Sequence, residues 1–544
     1  MRVLLLLLAL GTLAGCSRGV PSPRAADEQY DVLISGGRVI DGTGSAAFDA
    51  DVALRGDRIA VVSTSRLPPR SAARVIDARG LIVAPGFIDL HAHLDPLLRL
   101  PGAQSALRQG VTTGLGGPDG GSPLPLGPYL DSARALGVGI NVAFLVGHNS
   151  VRRQVMGMTD RAPTPAELDA MRLQVARAMG EGAFGISTGL KYLPGAYAGT
   201  DEVVALSRAA ADSGGIYTSH LREEGVGLDA GVGLIESVAE AIEIGARARI
   251  PVVLTHHKVV GQPMWGASTR TLRMVDSARA AGIDVMIDQY PYPATYTGIG
   301  ILIPAWAMAD GGGAFQRRLE DPALRDSVVR GIVWNIMNDR GGGDLRRVQF
   351  ARVPWMPELE GKTLHDWAVM RGLPPTPETG AELVLEAERR GSTSAIYHVL
   401  DELDIVRIMR HPQTMIASDG RLVEPGEGHP HPRWYGTFPR VLGEYVREKR
   451  VLSLEEAVRK MTGMPAGRLG LRDRGRVAAG LHADLTIFDP ATVADRATFT
   501  QPHQYPAGIE YVLVNGVVAV DSGRFTGARG GRVLRRGENR GGSP

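Results

Sequence analysis

Between Ile82 and Ser418, short apolar runs alternate with longer amphipathic segments, and no other feature of the chain restricts its fold as strongly. The runs are Ile82 to Leu90, Val111 to Leu115, Ile140 to Val146, Ala183 to Thr188, Ile216 to Leu221, Val252 to Thr255, Ile283 to Asp288 and Thr414 to Ser418. Each has the length of a buried strand. Helical patterns lie between them, as in Pro165 to Met179, Asp201 to Ala211, Ala230 to Ala246 and Thr269 to Ala281. Eight βα units in series predict an α/β chain built as a (β/α)8 barrel over 85–470, with any chemistry at the C-terminal strand ends. The stretch 290–412 is too long for one crossover and predicts an inserted lid subdomain.

The two ends of the chain have a different texture. Short β-prone runs with Gly and Asp turns fill 30–84 and return over 471–535, which predicts one small β-sandwich made from both ends, followed by a flexible tail at 536–544. At the start, Met1-Arg2-Val3 and the apolar Leu4 to Leu10 run are too short for a membrane-spanning helix and read as a secretory leader. Leu13-Ala14-Gly15-Cys16 resembles a bacterial lipoprotein signal, so 1–16 is the expected signal peptide, Cys16 the lipidated residue and 17–29 a tether. Ser17 fits retention in the outer membrane, facing the periplasm.

Composition narrows the function classes. With 60 Lys+Arg against 58 Asp+Glu, the chain carries no basic field for nucleic acid. The expected partner is a small molecule, membrane contact runs only through the lipid, and oligomeric state is open. Cys16 is the only cysteine, so any metal site must use His, Asp, Glu or a modified Lys.

Ligand-type residues fall at the strand ends. The first strand closes on Asp89-Leu90-His91-Ala92-His93, the fifth on His220, the sixth on His256-His257 and the eighth on Asp419. Side chains two apart on a strand share a face, so His91 and His93 can converge on one cation, and neutral imidazole suits zinc. Paired histidines at one strand end also occur in ordinary hydrogen bonding. Four histidines and an acid at four strand ends favour a metallohydrolase, in which one or two divalent ions activate water and polarise a carbonyl. Asp419 is then the candidate acid/base that moves the proton to a leaving nitrogen, although Asp419-Gly420 is also a common turn pair.

Further motifs carry a resemblance. Pro85-Gly86-Phe87-Ile88 leading into the His-x-His pair, Gly110-Val111-Thr112-Thr113, Gly147-His148-Asn149, Ser187-Thr188-Gly189-Leu190-Lys191-Tyr192, Ser219-His220-Leu221-Arg222, His256-His257-Lys258, Tyr290-Pro291-Tyr292, Ser418-Asp419-Gly420 and Pro430-His431-Pro432-Arg433 resemble the N-acyl-D-amino-acid deacylases of the amidohydrolase superfamily. The resemblance covers Tyr30 to Arg535. It implies a zinc hydrolase of N-acyl-D-amino acids, with His91, His93, His220 and His256 as ligands and Asp419 as acid/base. It also implies Arg433 on the substrate carboxylate, with Lys258, Tyr192 and Tyr290 nearby. His148, after the third strand, is a candidate for stabilising the oxyanion.

Three positions depart from that pattern. Where the family usually has Gly-Asn-Cys-Gly, with a ligating thiolate, this chain has Gly117-Pro118-Asp119-Gly120, so Asp119 is either a replacement ligand or part of an ordinary turn. Lys191 stands just beyond the fourth strand, where a carboxylated lysine could bridge two metals. Tyr296 replaces a small hydroxyl residue. The anion completing the site must therefore be Asp119, a carboxylated Lys191, or Asp419. Competing readings are a cyclic-amide hydrolase or β-aspartyl dipeptidase, and a catalytically silent envelope binding protein.

Overall fold

The structure is a computed structural model that describes residues 30–228 and 232–538. The expected signal peptide, Cys16 and the tether lie outside the described residues. Among the described residues no helix is long and apolar enough to cross a membrane.

The eight expected strands are present, as β1 (Phe87–Asp89), β2 (Val111–Gly116), β3 (Asn141–Phe144, continued by Val146–Gly147), β4 (Gly185–Gly189), β5 (Ile216–His220), β6 (Val252–Leu254), β7 (Val285–Gln289) and β8 (Thr414–Ile416). All neighbouring pairs are parallel, β1 on β2 and β2 on β3, then β3 through β7 in order, with β8 against β7. At the remaining seam, between β8 and β1, Ser418 donates its backbone N–H to Asp89 at 2.9 Å, and Gly420–Arg421 pairs in parallel with Ala92–His93. The result is the (β/α)8 barrel.

The flanking helices follow the expected period. Pro165–Gly180 starts at a Thr164 cap completed by Glu167 and buries Met171, Val175, Ala178 and Met179 on one stripe. Thr200–Ala211 and Ser268–Ala280 occupy the expected places; the next, foreseen from Ala230, begins at Leu234 within the described residues and runs to Ala248.

One expected strand splits in two. Ile82–Pro85 belongs to the small domain, and only Phe87–Asp89 enters the barrel. Gly86 is the switch point, because a Cβ there would lie 2.1 Å from Thr112 Oγ1, so only glycine lets the chain cross so close to β2. The small domain is one continuous nine-stranded sheet. Ile82–Pro85 pairs with Leu485–Phe488 on one side and Tyr30–Val39 on the other, which joins the two ends of the chain. Val32, Val52 and Ile59 from the N-terminal arm share an apolar core with Leu485, Ile487 and Leu513.

Between β7 and β8, the chain builds a separate layer. It holds a three-stranded antiparallel sheet of Thr295–Gly298, Ser394–Tyr397 and Val348–Arg352, together with helices including Pro322–Asn338 and Pro377–Arg390. This insertion overhangs the C-terminal mouth of the barrel. It delivers Tyr296 and Ser394 to the cavity there and buries Asp339 and Arg340 beneath it.

Candidate metal centre and substrate cleft

Six side chains meet at the mouth of the barrel. His91, His93, Asp119 and Asp419 form one group of potential ligands, and Asp119, His220 and His256 form a second, with the ligand atoms in each lying within 4.8 Å of one another. Asp119 belongs to both. Its Oδ1 lies 3.4 Å from His91 Nε2, 3.5 Å from His220 Nδ1 and 3.3 Å from His256 Nε2, while Oδ2 is 3.6 Å from His93 Nε2. Asp419 Oδ1 is 3.2 Å from His93 Nε2 and 3.6 Å from His91 Nε2.

Local backbone makes this possible. The strand hydrogen bonding lapses at Leu90–His91 before resuming at Ala92–His93, yet the two imidazoles still converge, with centroids 5.4 Å apart. Asp119 (φ 54°), His256 (φ 38°) and Asp419 (φ 47°) all have left-handed backbone. For residues with a Cβ this conformation costs on the order of 1–3 kcal/mol each, and such strain clusters at functional sites. The Asp119 turn is clamped by Ser187, whose hydroxyl donates to Gly117 O at 2.6 Å and accepts from Gly120 N at 3.1 Å. Gly120 (φ 74°) is obligatory in that clamp, since a Cβ would meet Asn149 Oδ1 at 2.0 Å. Pro118-Asp119-Gly120 is thus a turn, and it also aims its carboxylate at four imidazoles.

The electrostatics call for a cation. Burial opposes ionisation of Asp119, but His91, His256 and His220 outweigh it and hold the carboxyl well below its usual range. Asp419 behaves alike: burial raises it, while Arg433, His91, His93 and His256 bring it far down. Burial pushes His91 down to about 4 and also lowers His220. Both ring nitrogens of each are buried without a hydrogen bond, an arrangement suited to neutral imidazole ligands and costly otherwise. Burial and Lys258 lower His256, but Asp119 and Glu224 raise it further, to about 9. In a metal-free site, a proton on that ring balances the paired carboxylates. The donor set therefore fits one or two divalent ions held by nitrogen and oxygen alone.

Several residues that support the site were given no role from sequence, although Asp89 was noted at the end of the first strand. Glu224, 1% exposed, accepts from Lys258 through Oε1 and from Arg340 Nη2 at 2.8 Å through Oε2. The same carboxylate lies 3.3 Å from His256 Nδ1 and 3.7 Å from His220 Nε2, behind the ring atoms that face Asp119. Asp89 accepts from the N–H of His91 at 3.1 Å and from the N–H and hydroxyl of Ser418, so it ties the ends of β1 and β8 together. Asp288, at the end of β7, accepts from His256 N at 2.6 Å. The strand-end positions of Asp89 and Asp288 were visible signals; Glu224, four residues after His220, was the subtler one.

The structure does not bring every expected residue into the cluster. Lys191 is absent from both ligand groups because its ammonium pairs with Glu223 and lies 3.7 Å from Asp339. Burial lowers its pKa, but Glu223 and Asp339 raise it above the ordinary value, which opposes the neutral amine a carbamate requires. His148 also turns elsewhere, with Nε2 2.8 Å from Glu202 Oε1 and that carboxylate held by Arg152. It braces the start of the helix His148–Met156 that follows β3 and does not reach the cleft; its neighbour Asn149 does, bonding to Gly189 O at 2.9 Å. Lys258 lies behind His256, donating to Glu224 and to His256 O at 2.9 Å with its Nζ 2.6 Å from His256 Nδ1, so its ammonium is engaged within the protein. Of the adjacent pair, His256 faces the site, whereas His257 Nε2 lies 2.8 Å from Thr271 Oγ1 and burial pushes it down to about 3.

A cleft of about 430 Å³ opens over the cluster, lined by His93, Asp119 and Asp419 on one side and by Tyr192, Tyr296, Arg433 and Trp434 on others. Tyr192 packs on His220 with centroids 4.4 Å apart. Arg433 is 2% exposed; its Nη2 is 2.9 Å from Asp419 Oδ1, and its Nε and Nη1 have no partner. The guanidinium stacks on Tyr290 at 4.5 Å, and the Tyr290 hydroxyl is likewise buried and unpartnered.

The sequence profile of the amidohydrolase family matches residues 74–287 and 305–520. The chain belongs to that family. It is 38% identical over 533 residues to a D-aminoacylase of Alcaligenes xylosoxydans xylosoxydans, covering 94% of this chain and 98% of that one. An N-acyl-D-glutamate deacylase from the same organism is 39% identical, with 95% and 99% covered. A crystal structure of D-aminoacylase superposes with a TM-score of 0.78 at 38% identity, covering 93% of this chain and all of the other. The N-acyl-D-glutamate deacylase of Bordetella bronchiseptica, solved with zinc and a phosphonate mimic of the tetrahedral intermediate, gives 0.76 at 36% identity, with 93% and 100% covered.

Proposed function

We propose that this protein is a zinc-dependent hydrolase that cleaves the amide bond of N-acyl-D-amino acids, or of dipeptides carrying a D residue next to the free carboxylate. The observation that carries this reading is the convergence of four imidazoles and two carboxylates at the barrel mouth beneath the Arg433 guanidinium. Relatives spanning nearly the whole chain support the D configuration and the linear amide. His91, His93, Asp119, His220, His256 and Asp419 would hold one or two zinc ions. When bound, zinc supplies Lewis acidity that activates water and polarises the amide carbonyl.

The chain's own residues account for the rest. Arg433 and the imidazoles hold Asp419 ionised, so it is able to accept a proton from water and return it to the departing amine, while the same contacts lower its basicity. Arg433 leaves Nε and Nη1 without a partner as charged donors for the substrate carboxylate, and Tyr290 supplies a stacked face beneath it and an unused hydroxyl. Engagement of Lys191 with Glu223 and Asp339 weighs against a carbamate-bridged cyclic-amide hydrolase. The leader ending at Cys16 supports attachment to the cell envelope by lipid, on the outer membrane facing the periplasm; Cys16→Ala should then move the protein from the membrane fraction to the soluble one.

The test is amine release from paired N-acetyl-D- and N-acetyl-L-amino acids by zinc-loaded protein, with Asp419→Asn alongside. The expected result is D-selective cleavage, slowed about 10²–10⁴-fold in the variant. L-selective cleavage, or full activity in Asp419→Asn, overturns the reading.

A further inference from the structure

Charge in the cleft exceeds what the proposed reaction consumes. Asp119 and Asp419 face the imidazoles and Arg433, and Asp95 lies 3.9 Å from His93. Two further guanidiniums line the same cavity, those of Arg153 and Arg421. Arg153 donates to Leu193 O at 2.9 Å, and neither arginine has a carboxylate partner among the described residues. Their neighbours at the rim differ: Arg352 pairs with Glu427 at 2.6 Å, and Arg99 with Glu427 at 2.9 Å and Glu424 at 3.5 Å.

Arg421 is itself solvent-exposed, but its backbone is anchored at the site. It lies on the short strand Gly420–Arg421, two residues after Asp419, in parallel register with His93. Its backbone is therefore fixed to the same frame as the ligand cluster. The side chain also lines a second cavity of about 350 Å³, and the two spaces meet at Arg421, Tyr296 and Trp434. The aromatic pair forms an edge-to-face contact with centroids 5.1 Å apart.

We infer that Arg421 recognises a second carboxylate on the substrate, beyond the one held by Arg433, making the preferred substrates N-acyl-D-amino acids that carry two anionic groups. This rests on the deacylase reading above. The second carboxylate has two chemical sources, an acidic side chain on the D residue or a dicarboxylic acyl group. Arg153, on the helix His148–Met156 after β3, adds to the positive potential that draws such a substrate in.

Steady-state kinetics on two matched pairs test this: N-acetyl-D-glutamate against N-acetyl-D-glutamine, and N-succinyl-D-leucine against N-succinamoyl-D-leucine. A charge-assisted hydrogen bond present for only one member of a pair should raise its kcat/KM about tenfold or more. The pair showing that ratio identifies the source of the carboxylate. Arg421→Gln should bring the ratio close to one, and Arg421→Lys should restore part of it. Ratios near one for both pairs in the native enzyme, or a ratio unmoved by Arg421→Gln, overturn the inference and leave the deacylase reading intact. Failure to cleave any of the four substrates counts against the deacylase reading itself and takes this inference with it.

Discussion

Replacing Glu224 by Gln probes the part of the centre that holds the imidazoles rather than the metal. Glu224, Glu223 and Asp339 face Lys258, Lys191 and Arg340 in a buried cluster of three acids and three bases. Removing one negative charge leaves an uncompensated cation in a region where Arg340 is 1% and Lys258 6% exposed. Breaking a buried pair in this way costs about 3–5 kcal/mol. With an unfolding entropy of about 2 cal/mol/K per residue, a chain of this length should lose roughly 3–5 °C in apparent Tm. Glu224 also backs His256 and His220, so zinc affinity should fall about 10–100-fold, as for other groups that orient metal-ligating histidines. Differential scanning calorimetry and competition with a chromophoric chelator measure the two effects. A variant with native Tm and native zinc affinity would show that Glu224 does not organise this centre.

Two other substitutions separate roles within the site. Asp119→Asn keeps the shape of the turn but removes the anion shared by both ligand groups, so zinc affinity should fall by more than the Glu224 variant loses; Asp119→Cys, which restores a thiolate, should recover much of it. Direct metal titration reads both. His148→Gln should destabilise the fold by about 1–3 kcal/mol through the buried Glu202 it contacts, while zinc content stays stoichiometric and turnover changes only a few-fold. Turnover slowed by about two orders of magnitude or more, the scale of a lost acid–base or oxyanion contact, with zinc retained, would return His148 to the reaction.

Much of this architecture was legible because barrel strands are buried on both faces and read as unbroken apolar runs. Ligand histidines at strand ends were legible for a related reason, since a polar residue closing such a run lacks a packing role. The misread positions share a different cause. Ile82 to Leu90 looks like one strand, and only the approach of Thr112 to Gly86 shows why it must change sheets. Lys191 and His148 look like site residues until their partners are known. Glu223 and Glu202 are 32 and 54 positions away, and Arg340 reaches Glu224 across 116 residues from within the insertion. Side-chain pairing over such separations is a property of the assembled barrel. The ambiguity at Asp119 has the same cause, because whether a Pro-Asp-Gly turn offers a ligand depends on what the fold sets against it, here the Ser187 clamp and the facing imidazoles.

Anomalous diffraction at the zinc absorption edge, from crystals of the zinc-loaded enzyme, tests the Asp119-centred site most directly. One or two peaks should lie among His91, His93, Asp119, His220, His256 and Asp419, with only nitrogen and oxygen ligands and with Lys191 still paired to Glu223. An active enzyme with no peak there, or with zinc bound at Lys191 and away from Asp119, would contradict it.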